Sequence, residues 1–229
     1  MKTIGIINSA DIDTAVLKSK IDIISVKSIA GSQFSLGKMA GKNVIVARCN
    51  TGKVNAAICA QILIDLYGVD CIISTGIACA VKEGLVAGDV AISLDLAHHD
   101  FDTTGIGDAL YVNSSIGDSF FCADSRLVKV ANAVCSHVAG KDRCHTGRIT
   151  TGDQFVMSKE VKDRIGRDLD SLCIDMEGAA IGQACYLNNM PFVVLRLICG
   201  EVGFGYEEFV GQASEMSAQI LEGMLHGLC

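Results

Sequence analysis

Apolar and polar positions along the 229-residue chain fall into two alternating patterns. Short runs rich in β-branched residues, at Ile4–Ile7, Asp22–Ile29, Val44–Ala47, Asp70–Thr75, Asp89–Leu94, Arg148–Thr151, Ser171–Ile174 and Phe192–Ile198, predict strands. Between them, residues 53–67, 124–138, 178–189 and 207–226 carry helical periodicity, and Asp124 and Gly140 bracket the second as a cap and a stop. Helices alternating with buried strands favour right-handed βαβ crossovers and a largely parallel sheet in three layers. The stretch from 22 to 49 differs, because its strand runs, joined by Gly37–Gly41, read as hairpins. A mixed, curved sheet is therefore expected in place of a regular Rossmann order. No linker, repeat or low-complexity tract interrupts the pattern, and a single α/β domain over residues 1–229 is expected.

Composition narrows the class. Half the residues are hydrophobic and a fifth are charged, which argues against disorder. A net charge of -7 offers no attraction to nucleic acid or to an anionic membrane. The eleven cysteines are scattered through apolar segments without CxxC or Cys/His ligand spacing, as expected of reduced thiols used as small core residues. Met1-Lys2-Thr3 runs directly into a strand-like segment with no secretory leader, so a soluble, cytoplasmic protein is expected.

The chemistry concentrates at strand-to-helix junctions, which in α/β proteins lie at the carboxyl edge of the sheet, where ligands bind. Residues 173–180, Cys-Ile-Asp-Met-Glu-Gly-Ala-Ala, set two carboxylates in apolar surroundings. Such acids must be ion-paired, solvated or used; the bland alternative is that Asp175 and Glu177 cap the following helix. Three glycine-bearing junctions recur at the same edge, at Thr51-Gly52-Lys53, Thr75-Gly76-Ile77 and Thr151-Gly152-Asp153. None is a phosphate-binding P-loop or a GxGxxG turn. Lys53 is read as capping or solvating a helix start. His98-His99-Asp100 and Asp102 have ligand-type side chains, but successive histidines on a strand face opposite ways, so packing is favoured over metal. Cys199 is likewise read as a packing residue and not as a nucleophile.

Taken together, Ile4-Gly5-Ile6-Ile7, Thr51-Gly52-Lys53-Val54-Asn55-Ala56-Ala57, Ile72-Ile73-Ser74-Thr75-Gly76, Gly88-Asp89-Val90, His99-Asp100-Phe101-Asp102, Thr151-Gly152-Asp153-Gln154-Phe155-Val156, Asp175-Met176-Glu177 and Pro191–Arg196 carry a resemblance that runs nearly end to end. The chain resembles the nucleoside phosphorylase superfamily, and within it the bacterial 5′-methylthioadenosine/S-adenosylhomocysteine nucleosidases. The resemblance implies a three-layer α/β/α domain around a mixed, barrel-like central sheet, a homodimer, a small-molecule nucleoside as ligand and no cofactor.

It also implies site residues. Glu177 would accept hydrogen bonds from the ribose hydroxyls and stabilise the ribosyl cation as it develops. Met176 would line the sugar, Phe155 would stack on the base and the Val156 backbone would read the base edge. Asp13, one methylene shorter than the family's glutamate, falls where a carboxylate activates water, and Arg196 would hold that side. Ile77 and Cys79 stand near the sugar where the family has a serine and a glycine. Thr51 replaces an apolar contact to the 5′-alkylthio group, and Tyr206 approximates an aromatic lid residue. No arginine lies between Arg48 and Arg126, where phosphorylases hold phosphate, so water is the expected nucleophile.

The main departure concerns the acid that protonates the departing purine. Arg196-Leu197-Ile198-Cys199-Gly200-Glu201 places Gly200 where the family has an aspartate. Three readings follow. Glu201 acts as the acid, or the base leaves without N7 protonation as in pyrimidine-handling relatives, or the chain binds nucleoside with little or no catalysis. As a function, a nucleoside phosphorylase of different base specificity also stays open.

Overall fold

The computed structural model describes residues 2–8, 11–117, 119–199 and 206–228, with side chains throughout except at 11–14 and 206–208. The strands are β1 (Thr3–Asn8), β2 (Asp22–Ile29), β3 (Ser32–Met39), β4 (Lys42–Arg48), β5 (Cys71–Ser74), β6 (Ile77–Ala80), β7 (Val90–His98), β8 (Phe121–Cys122), β9 (Cys144–Thr151), β10 (Ser171–Asp175) and β11 (Phe192–Cys199). The α-helices are α1 (Asp11–Ser19), α2 (Lys53–Tyr67), α3 (Ser125–Val138), α4 (Lys159–Leu169), α5 (Gly178–Leu187) and α6 (Tyr206–Gly227).

Among the described residues the strands form one sheet in the order β2-β3-β4-β1-β5-β11-β6-β10-β9-β7-β8. A further pairing of β11 with β7 closes β11, β6, β10, β9 and β7 into a ring. The ring is mixed: β11 runs parallel to β6 and antiparallel to β7, while β10 runs antiparallel to β6 and parallel to β9. This is the barrel-like mixed sheet expected of an α/β/α domain. All eight residues of β11 and all four of β5 are buried, because helices cover both faces. Successive β5 residues show the division: Ile72 packs with Leu63 and Ile181 on one side, and Ile73 with Leu127 and Leu221 on the other.

Helix ends follow the local chemistry. The Asp124 carboxylate accepts N–H bonds from Arg126 and Leu127 at the start of α3, and Gly68 ends α2 in the left-handed region. The hairpin reading of residues 22–49 needs one correction. Gly37 lies inside β3, and the turns are Ala30-Gly31 and Ala40-Gly41, all four with positive φ, as two-residue hairpins require. Helix α4 escapes the sequence pattern because it is mostly charged; it reaches the core only through Val161, Ile165 and Leu169, four residues apart.

A bulge shapes the ring. The β7–β9 register shifts between Ser93 and Asp95, which bends β7 around the barrel. Ser93 is fully buried there, and its Oγ accepts the Val194 N–H of β11 at 2.9 Å. The side chain thus replaces a ladder bond at the point of closure. Ser93→Ala leaves that N–H unpaired and should lower stability by about 1–3 kcal/mol, read from the urea midpoint at unchanged m-value.

Candidate active site

A cleft of about 300 Å³ opens where β4, β9 and β10 end, lined by the segments that follow them. Asp175, the last residue of β10, is the most constrained side chain beside it. One of its oxygens accepts Arg196 Nε at 2.7 Å, and the other accepts Thr151 Oγ1 at 2.5 Å. Both oxygens also accept the Gly178 N–H at 3.1 Å. Thr151 Oγ1 in turn accepts the Ala179 N–H at 2.7 Å, so the first turn of α5 is satisfied by β9 and β10 together. A Cβ on Gly178 would stand 2.6 Å from the Asp175 carboxylate, which explains the glycine.

The two acids of the motif therefore have different fates. Asp175 is the structural cap and the ion-pair partner. Glu177 sits at the N-cap position of α5 but makes no side-chain cap bond, and its Oε1 accepts the Gly52 N–H at 2.9 Å across the cleft. Gly52 can present that N–H because its backbone adopts φ 101°, ψ 161°, a region restricted to glycine. Glu177 is 7% exposed, and burial, reinforced by the nearby Asp175 charge, raises its pKa despite Arg196 and the Gly52 N–H.

Arg196 is itself buried. Its guanidinium is spent on Asp175, on Ser74 Oγ at 3.1 Å and on the Leu195 carbonyl at 3.0 Å. It supports the cleft wall from behind and is not among the residues lining the cleft. Lys53 does more than cap or solvate its helix: Nζ pairs with Asp100 at 2.7 Å, while its N–H donates to Asp153 Oδ1 at 2.8 Å. Asp100 also accepts the Asp153 N–H at 2.9 Å. This clamp ties the start of α2, the segment after β7 and the segment after β9 into one rim. His98 meets Gln183 at 2.9 Å, and His99 packs against Gly152. Among the described residues no cluster of three or more His, Cys, Asp or Glu side chains is arranged to hold a metal ion.

Six of the anticipated residues, Thr51, Ile77, Phe155, Val156, Met176 and Glu177, converge on this one cleft. Asp13 lies in the first turn of α1, beyond the end of β1, and its side chain is outside the described set. Gly200 and Glu201 also lie outside the described residues, as does the side chain of Tyr206 at the start of α6. Sequence alone weighs Asp100 only as a metal ligand and gives Thr151, Asp153 and Ser74 no role of their own. All four belong to the recurring strand-end motifs, but their partners lie 24 to 122 residues away.

The family model described as the phosphorylase superfamily matches residues 3–226. The chain belongs to the phosphorylase superfamily. A 5′-methylthioadenosine/S-adenosylhomocysteine nucleosidase of Tolumonas auensis is 34% identical, over 98% of this chain and 99% of its own length. The nucleosidase of that name from S. pneumoniae, solved with a transition-state inhibitor, superposes with a TM-score of 0.90 at 33% identity, covering 99% of this chain and 100% of the other. A futalosine hydrolase mutant of Helicobacter pylori superposes at 0.89 with 25% identity and complete coverage of both chains.

Within this superfamily site, two substitutions should move stability in opposite directions. Arg196→Met strands the Asp175 charge and should cost about 3–5 kcal/mol. Glu177→Gln should raise the melting temperature of the free protein at neutral pH. The folded pKa of Glu177 is raised, so the native state binds more protons than the unfolded chain, and stability falls as pH rises through the window above its ordinary value of 4.5. The advantage of glutamine should disappear below that value, where both side chains are neutral. Thermal melts from pH 4 to 8 check both.

Proposed function

We propose that this chain is an N-ribosyl hydrolase of purine nucleosides of the 5′-methylthioadenosine/S-adenosylhomocysteine type. The observation that carries the reading is the buried carboxylate of Glu177, bordering a largely apolar cleft opposite the exposed ring of Phe155. N-glycosidic cleavage generates positive charge on the ribosyl ring, and a preorganised anion in a water-poor pocket stabilises that charge more than it stabilises the ground state. Glu177 accepts the ribose hydroxyls, Met176 packs on the sugar, Phe155 stacks on the base and the Val156 backbone reads its edge. Asp13 directs water to the anomeric carbon, and Glu201 donates the proton to the leaving base. Identity of 33–34% to nucleosidases over nearly the full length supports this assignment.

Water is favoured over phosphate by charge. Among the described residues lining the cleft none is a lysine or arginine, and the Arg196 guanidinium behind it is bonded to Asp175 and Ser74. A phosphate dianion entering beside Glu177 would meet repulsion with no fork of donors to offset it.

Incubation with methylthioadenosine, S-adenosylhomocysteine, adenosine, inosine and futalosine should release free base from the first two fastest, independently of added phosphate. Glu201→Gln should slow release by about 10²–10⁴-fold. The apparent affinity should weaken as pH falls, starting above the ordinary carboxylate range, because Glu177 must be ionised to grip the hydroxyls. Saturable nucleoside binding without base release would instead identify a binding relative, and phosphate-dependent release a phosphorylase.

The same reading includes a homodimer. Val54 and Ile58 of α2 and Leu187 of α5 are 69%, 39% and 58% exposed, and line a second concavity with Phe101 beside the Lys53–Asp100 clamp. A second copy of the chain covering this apolar face would also brace the rim of the cleft. Light scattering should give twice the chain mass, and Ile58→Glu should shift it toward the monomer; a monomeric wild type would refute the pairing.

A further inference from the structure

Two thiols on the cleft wall have no part in the proposed hydrolysis. Cys79 of β6 and Cys199 of β11 are register partners on adjacent parallel strands, so their side chains leave the sheet on the same side. Their sulfurs stand 3.7 Å apart, and both line the nucleoside cleft. Neighbouring strands lie about 4.7–4.9 Å apart, inside the roughly 4.4–6.8 Å between Cα atoms that a disulfide spans. Closure needs the sulfurs to approach to about 2.05 Å, a side-chain rotation and not a strand movement. Among the described residues two other thiol pairs are less open: Cys49 and Cys59 are buried at 1% and 0% exposure, and Cys144 pairs with a Cys135 that is 0% exposed.

We propose that Cys79 and Cys199 are an oxidation site for small peroxides, closing to a disulfide in the cleft, and that oxidation and nucleoside occupancy exclude each other. The Cys79 thiolate attacks one peroxide oxygen, the O–O bond breaks, and Cys79 becomes a sulfenic acid as hydroxide leaves. The Cys199 sulfur then attacks the sulfenic sulfur and the S–S bond forms. The departing oxygen leaves as hydroxide, and the Cys199 proton converts it to water. Two thiols and one hydrogen peroxide thus give one disulfide and two waters. The roles divide by environment. The bond from the Cys199 thiol, with Lys162 nearby, holds Cys79 down to about 6, whereas the same contact and burial push Cys199 up. Both thiols line the cleft, so a nucleoside bound there shields them from peroxide. In turn, the disulfide reshapes the wall on which the nucleoside packs and weakens its binding. The disulfide part of this proposal rests on geometry alone; the competition rests on the nucleosidase reading above.

The full-length reduced protein should be treated with hydrogen peroxide, alkylated and mapped by mass spectrometry. The expected product is a Cys79–Cys199 cross-linked peptide pair, with Cys49 and Cys59 still reduced and the melt still cooperative. Methylthioadenosine in excess should slow cross-linking, and the oxidised protein should release adenine about tenfold more slowly until dithiothreitol restores it. Cys199→Ser should stop at the sulfenic acid, trapped on Cys79 by dimedone, and Cys79→Ser should give neither product. Cysteines 79 and 199 both alkylated after peroxide, or a cross-link that leaves base release and its protection unchanged, overturns the proposal. If the cross-link forms but the reduced protein acts on no nucleoside, the functional reading falls and takes the competition with it, while the oxidation site stands.

Discussion

The buried pair of Asp175 and Arg196 is the constraint around which the site is organised. It joins the end of β10 to the middle of β11, two strands separated in the ring by β6, with a 2.7 Å bond and almost no solvent contact. A charge pair so placed is costly to desolvate, and it persists only if every remaining lone pair and proton is satisfied. The structure meets that demand through Thr151, Gly178, Ser74 and the Leu195 carbonyl. Thr151, Gly178 and Ser74 come from three different strand ends or helix starts, and Leu195 from β11 itself. Satisfying one ion pair therefore fixes the relative positions of β5, β9, β10, β11 and α5, which together form the back of the cleft.

Glu177 depends on that arrangement. It is two residues from Asp175, so the strand's end and the first turn of α5 decide that it faces the cleft and not the ion pair. With Asp175 already capping the helix, Glu177 is left over as a carboxylate that burial makes reluctant to ionise. The strained Gly52 offers it one N–H, and the Lys53–Asp100–Asp153 clamp holds that glycine at the rim. A buried acid in a cleft with its pKa raised by burial is a pattern typical of functional sites.

Much of this was legible in the residues. Strands such as β11 and β5 are apolar runs broken only by Arg196 and closed by Ser74, and the predicted bounds of α2 match because Gly52 and Gly68 flank it. The resemblance carried by the strand-end motifs implied one site for Thr51, Phe155, Val156, Met176 and Glu177, and all five line the cleft. What escaped has physical causes. Helix α4 is held by three apolar residues in a charged segment, too few to dominate its periodicity. Strand β6 is four residues long and follows Gly76 directly, so it reads as part of a turn. Asp175 and Glu177 look equivalent as letters, and only the distant Arg196 and Thr151 distinguish the cap from the free acid. Long-range pairing, not local propensity, carries that difference.

The position of Arg196 also bears on the nucleophile. An arginine behind such a cleft invites the idea of a phosphate clamp, but here Nε and Nη1 are already bonded to the protein acceptors Asp175, Ser74 and Leu195. Recruiting it for phosphate would require breaking a buried pair, a loss of several kcal/mol that the anion would have to recover while approaching Glu177. Water asks for no such rearrangement. The same ion pair that builds the cleft thus biases its chemistry, because the cation that could have bound an anionic nucleophile is already used to hold the wall in place.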